Sequence, residues 1–140
     1  MPGTIHIVAA VDVIAALSSG LLEASMHLMD DGPIPGRNQG TSRLTTFCWP
    51  GWTINWTIQQ LDLQTPAMIR SIRFEGPAGV KTVQGPDTAY ASVWSGIVPA
   101  CLVPGQLYRY EIEVQMARGS HSILSVKTPS LVVPVAGSLS

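Results

Sequence analysis

Residues 107–116 alternate strictly between apolar and polar positions. Tyr108, Tyr110, Ile112, Val114 and Met116 share one parity, and Arg109, Glu111, Glu113 and Gln115 share the other. Successive side chains of a strand point to opposite sides, so this segment has one dry face and one wet face. Wound into a helix, it would spread the four polar residues around the axis and leave no apolar stripe. Val103-Pro104-Gly105 makes a turn before it, and Arg118-Gly119-Ser120 can close a hairpin after it.

The remaining pattern reads as further short strands. Residues 5–17 are apolar on both parities, which suits a strand covered on both sides, although the alanines leave helix open for the last turn. Ser18-Ser19-Gly20 is a turn. Leu22, Ala24, Met26 and Leu28 then alternate with Glu23, Ser25, His27 and Met29, giving a second strand that pairs back on the first. Residues 30–41 hold Pro33, Pro35, Gly32, Gly36 and Gly40 and form a long surface loop. As the longest unpatterned stretch, this loop is the first place to look for function. Strands are expected at 42–49, 52–63, 68–75, 80–83, 88–98 and 121–127. In the second of these Ile54, Trp56 and Ile58 face inward while Asn55, Thr57 and Gln59 face out. A last apolar strand at 130–135 is flanked and interrupted by Pro129 and Pro134, which places it at a sheet edge.

Short strands at near-regular spacing, split by glycine and proline turns, indicate an all-β fold. No internal repeat, low-complexity tract or domain boundary interrupts them. The expectation is therefore one domain over residues 1–140. It is an antiparallel β-sandwich of two packed sheets, jelly-roll or immunoglobulin-like, with a barrel as the alternative.

Composition changes this picture in one respect. Charged residues make up 12% of the 140 positions, about half the usual share, while apolar residues reach 46%. Mean hydropathy is +0.26. A formal net charge of −1 supplies little repulsion between copies, so the surface is expected to tolerate self-association as a homo-oligomer. The competing reading is a compact monomer coated in serine, threonine, glutamine and asparagine. The eight lysines and arginines are spread singly, which argues against nucleic acid as a partner. No segment approaches the roughly 18 apolar residues of a membrane span, and the N-terminus lacks the basic region of a signal peptide. The protein is thus expected to be soluble and cytoplasmic, with Cys48 and Cys101 as buried thiols rather than a disulfide.

Candidate chemistry is sparse. Trp49, Trp52 and Trp56 fall within eight positions, and Trp94 and Tyr90 share a parity further on. Trp56 belongs to the core. Trp49 and Trp52 flank the Pro50-Gly51 turn, so at least one should be partly exposed. Exposed rings beside Asn55 and Gln59 could stack on a sugar or fill a subunit interface; packing under a loop is the simpler reading. Asp12 lies in the most apolar stretch. It is either a buried acid with a raised pKa or the end of the first strand bonded to loop backbone, and the second reading is preferred. His6, His27 and His121 with Asp30 and Asp31 lack metal-ligand spacing, and Pro33-Ile34-Pro35 spoils the calcium-loop pattern after Asp30-Asp31-Gly32. Glu111 and Glu113 share a face as a catalytic pair would, but Arg109 beside them marks a solvated face. No GxSxG elbow and no glycine-rich phosphate loop occurs, so no catalytic residue, metal or cofactor is expected.

Several segments together resemble one family. Ile5-His6-Ile7-Val8-Ala9-Ala10-Val11-Asp12-Val13 is similar to the opening strand, ending in an aspartate, of the bacterial inclusion-body protein family (PixA/AidA type). Gly51-Trp52-Thr53-Ile54-Asn55-Trp56 resembles that family's Gly-to-Trp strand. Trp94-Ser95-Gly96 with Tyr108-Arg109-Tyr110-Glu111 resembles its late strand pair. The resemblance implies a β-sandwich that accumulates in ordered intracellular bodies, and it implies no reaction. The leading expectation is accordingly a non-catalytic bacterial protein that self-associates through apolar surface. Two others stand beside it. One is a binding module for a glycan or small apolar ligand using Trp49, Trp52, Asn55, Trp94 and Tyr90. The other is a small cyclase-like β-barrel enzyme that folds an apolar substrate by shape.

Overall fold

The computed structural model describes residues 3–60, 67–76, 79–82, 93–100, 102–116 and 123–135. The chain opens with β1 (Thr4–Val11), whose odd positions are fully buried. Asp12 then stops the strand. Its side chain accepts from the Ala15 N–H at 3.2 Å and caps the short helix α1 (Val13–Ser19). Gly20, in the left-handed region at φ 74°, closes that helix by donating to the Ala16 carbonyl. The expected strand over 5–17 is therefore a strand followed by a helix. The alternation within β1 cannot show where the backbone turns, but the aspartate and the glycine mark both ends of α1.

The other elements are β2 (Met26–Asp30), β3 (Thr45–Phe47), β4 (Thr53–Gln60), β5 (Ala67–Gly76), β6 (Gly79–Thr82), β7 (Val93–Ile97), β8 (Leu107–Met116), β9 (Ile123–Val126) and β10 (Ser130–Val132). Among the described residues they pair into two separate sheets rather than one closed barrel. The first has the order β2–β1–β4–β7. The second has the order β3–β10–β8–β5–β6, with β9 also beside β8. Most pairs are antiparallel, as expected, but each sheet contains one parallel pair, β1 with β4 and β3 with β10. Those pairs arise because the chain leaves the first sheet after β2, contributes β3 to the second, and returns as β4 beside β1.

Strand β8 is the axis of the second sheet. Its parity is as expected: Tyr108, Tyr110, Ile112, Val114 and Met116 are all buried. One side of it pairs with β5; the other is shared end to end by β10 and β9, with the Tyr110 N–H donating to Pro129 O between them. The last strand is thus interior, lying between β3 and β8, and not at an edge. Its prolines do not interfere, because Pro129 and Pro134 lie just outside the three paired residues. The segments expected at 22–29 and 42–49 are also shorter than their patterns, pairing only from Met26 and only over Thr45–Phe47. Of the strand expected at 88–98, residues 88–92 lie outside the described residues, as do the hairpin turn at 118–120 and most of the approach to β9.

Between the sheets the inward residues form one continuous cluster, including Ile5, Ile7, Ile54, Trp56, Ile72 and Ile112. Burial of such side chains is worth about 1.5–3 kcal/mol each and dominates the stability of the sandwich. Trp56 of the first sheet and Tyr110 of the second meet edge-on, with ring centroids 5.5 Å apart. This contact bridges the two sheets within that cluster.

Candidate functional site

The tryptophans separate into three environments. Trp49 and Trp52 sit on either side of the Pro50-Gly51 turn, which Gly51 closes with φ 85°. Their rings lie 4.8 Å apart and tilted by 42°, and both are half-buried. Trp52 packs against the core, and Gly3 lies so close to it that a Cβ there would come within 2.7 Å of the ring. Much of the aromatic surface at this turn is therefore engaged by its own neighbours. Trp56 is buried and donates its indole N–H to the Tyr110 hydroxyl at 3.3 Å. Trp94 is the cross-strand neighbour of Trp56 and packs against the core on the same inner side.

Asn55 lies on the opposite side of that sheet. It faces Ser95 on β7, whose hydroxyl donates to Asn55 Oδ1 at 2.6 Å. The four described residues of the five expected to bind a ligand are therefore not gathered at one place. Trp49 and Trp52 stand at the end of the sandwich, Asn55 on the outer face of the first sheet, and Trp94 on its inner face. Tyr90 lies outside the described residues. The physical reason is the period of two: Asn55 and Trp94 have opposite parity in register, so a β-pair must send them to opposite faces.

The long loop after β2, the first place to which the sequence pattern points for function, has a definite organiser in Asp30. Asp30 is half-buried, and its carboxylate is surrounded by donors: Gly32 N and Gly36 N at 3.4 Å, Gln39 Nε2 at 3.0 Å and Thr46 Oγ1 at 3.0 Å. A cation needs converging oxygens, whereas here hydrogens converge on one oxygen pair. The carboxylate acts as the hub that folds residues 30–46 back along the free edge of β2, where Leu28 and Thr41 pair. Among the described residues no group of histidine, cysteine, aspartate and glutamate side chains is arranged to hold a metal ion. His6 and His27 are apart; His27 Nδ1 contacts Gly40 O at 3.1 Å, while His121 lies outside the described residues. The glycine spacing at Gly32 and Gly36 was the signal for this hub, since each places a bare backbone N–H against the acid.

Glu111 and Glu113 are in an ion-pair ladder on the outer face of the second sheet. Glu113 pairs with Arg70 at 3.3 Å, and Glu111 with Arg73 at 3.9 Å and Lys127 at 3.8 Å. Cys48 is a free, fully buried thiol 3.8 Å from Val132 O. Burial pushes its pKa up to about 12, with the contact to Val132 acting slightly the other way, so it stays protonated and unreactive near neutral pH. Cys101 lies outside the described residues. Burial likewise holds the Tyr110 phenol well above its ordinary range, partly offset by the hydrogen bond from Trp56. Among the described residues no helix is long and apolar enough to cross a membrane.

Comparison with known proteins follows this geometry. The fold is similar to that of the inclusion body protein PixA from Burkholderia cenocepacia J2315, with a TM-score of 0.66 over 94% of this chain and 91% of that one. Sequence identity across the match is 9%, so what the two share is the fold. It is the fold implied by the segments around Asp12, Trp52 and Tyr108. No curated protein matches the sequence. Residues 3–122 match the family described as "Domain of unknown function (DUF8788)", a stretch covering most of the chain, and the protein belongs to that family.

Proposed function

We propose that the protein is a non-catalytic bacterial protein of the inclusion-body type, which works by associating with copies of itself through apolar surface. The observation that carries this reading is the exposure of large apolar side chains on a chain with few charges. Ile97 is 71% exposed, Leu21 65% and Ile14 63%. With a net charge of −1, nothing long-ranged keeps copies apart once such side chains offer area to bury. The fold shared with PixA supports the same reading. Static light scattering over a rising concentration series tests it: the mean mass climbs above that of one chain if the reading holds. A constant monomer mass at the highest attainable concentration overturns it.

A second reading is a site for a glycan or small apolar ligand at the Trp49–Trp52 turn, and the half-buried ring pair is what favours it. Binding on a glycan array that is lost in Trp52→Ala supports this reading, and a blank array counts against it.

A further inference from the structure

The two outer faces of the sandwich differ in kind. The second sheet presents Arg70, Arg73, Arg109, Glu111 and Glu113, several of them in the ladder described above. On the outer face of the first sheet, β1, β4 and β7 present no aspartate, glutamate, lysine or arginine among the described residues, and Asp31, just past β2 and bonded to His6, stands only at its corner. Its strands explain why: residues 1–11, 44–61 and 88–108 contain none of these four residue types at all. Those three stretches supply β1, β4 and β7, which form three of the four strands of that sheet. Among the described residues, the charges thus lie off these three strands, with Asp31 at the margin.

From this partition we infer that the outer face of the β2–β1–β4–β7 sheet is the surface through which two copies meet, face to face about a two-fold axis. The inference rests on the self-association proposed above and names its surface. Charge complementarity selects the occupant. Stacking this face on the charged sheet of another copy would take its arginines and glutamates out of water with no counter-charge on the facing surface, a desolvation loss that their pairs within the sheet offset only in part. Stacking it on itself buries no ion of β1, β4 or β7 and leaves Asp31 at the wet margin, and self-complementarity is what a two-fold interface requires.

The side chains also suit a second sheet. Val8 and Thr57 are neighbours in register at the middle of the face; Met29 flanks Val8 on β2, and Ile97 stands at the far corner on β7. These are compact or flexible groups that allow sheets to approach at about 10 Å. The polar groups present are already partly satisfied, as in the Ser95–Asn55 hydrogen bond. Area sets the strength. Four strands about 4.8 Å apart and seven residues long give a footprint of roughly 400 Å², about half of the 800 Å² per partner in a standard interface. The pair is accordingly weak and forms at high protein concentration.

Sedimentation equilibrium on the full chain tests this with three variants, each first checked for a wild-type circular dichroism spectrum. Thr57→Lys puts a charge at the centre of the face, and Ile97→Lys puts one at an already exposed corner where folding is not at risk. Gln115→Lys puts the same charge on the second sheet. The inference predicts that association weakens about tenfold or more in the first two and stays within about twofold of wild type in the third. If wild type associates and Thr57→Lys and Ile97→Lys associate equally well, this face is not the interface, although self-association stands. If wild type stays monomeric throughout, the functional reading falls, and this inference falls with it.

Discussion

Replacing Tyr110 by phenylalanine removes one oxygen atom from the centre of the sandwich and leaves the ring in place. Tyr110 is 1% exposed, and its hydroxyl accepts the indole N–H of Trp56 at 3.3 Å. That indole is only 3% exposed, so the substitution leaves a buried donor unpaired. An unpaired buried donor costs about 1–3 kcal/mol, and the long 3.3 Å bond argues for the lower half of that range. For a domain of this size, about 1–2 kcal/mol corresponds to a fall in Tm of roughly 3–6 °C. Urea unfolding followed by tryptophan fluorescence measures the loss, with the m-value expected to be unchanged. A cycle with Trp56→Phe isolates the pair term, because the double variant leaves neither group stranded. A coupling energy of about 1 kcal/mol is expected. A Tyr110→Phe variant as stable as wild type, or no coupling in the cycle, would refute the claim that this bond joins the two sheets.

Three further outcomes follow from the same geometry. Gly36→Ala is expected to destabilise by about 2 kcal/mol, since a Cβ there would run into the Asp30 carboxylate and lie 2.6 Å from Thr45 O; thermal unfolding reads it, and a neutral result removes Asp30 as the hub of the loop. Asp12→Ala, which strips the cap from α1, should cost about 1 kcal/mol in the same assay, and no loss would mean the cap contributes nothing. The third outcome concerns alkaline pH. The native Cys48 pKa, about 12, lies above the ordinary thiol value of 9.0, so its contribution is fully present below pH 9 and is lost as pH rises towards 12. Stability is expected to fall by roughly 1 kcal/mol from this group between pH 9 and pH 10. Cys48→Ala should flatten that slope in chemical denaturation, and an unchanged slope would contradict the assignment.

The sequence carried much of this architecture because period two is a strong signal wherever one face is dry. The parity of 107–116 placed both tyrosines inward, and the parity of 53–59 placed Trp56 inward and Asn55 outward. What it could not give was pairing across distance. The parallel register of β1 with β4 and the interior place of β10 are set by which strands meet, and no local pattern encodes that. Helix α1 was hidden because Val13 and Ala16 continue the apolar run of β1 while only Asp12 and Gly20 mark the change. The proposed ligand set failed to assemble for a related reason. Trp49, Trp52, Asn55 and Trp94 were grouped by residue type, whereas register sent Asn55 and Trp94 to opposite faces of one sheet. The uncharged stretches were legible as low charge overall, but their concentration on one sheet emerged only when they proved to be β1, β4 and β7.

Methionine oxidation gives the most direct test of which surface copies use. Met29 is 43% exposed on the uncharged face, and Met68 is 59% exposed on the charged one, so each sheet carries its own reporter. Dilute and concentrated samples treated with peroxide and read by peptide mass spectrometry should differ at one site: Met29 oxidises more slowly at high concentration, while Met68 keeps its rate. Slowing at Met68 with Met29 unchanged would place the contact on the opposite sheet and contradict the account.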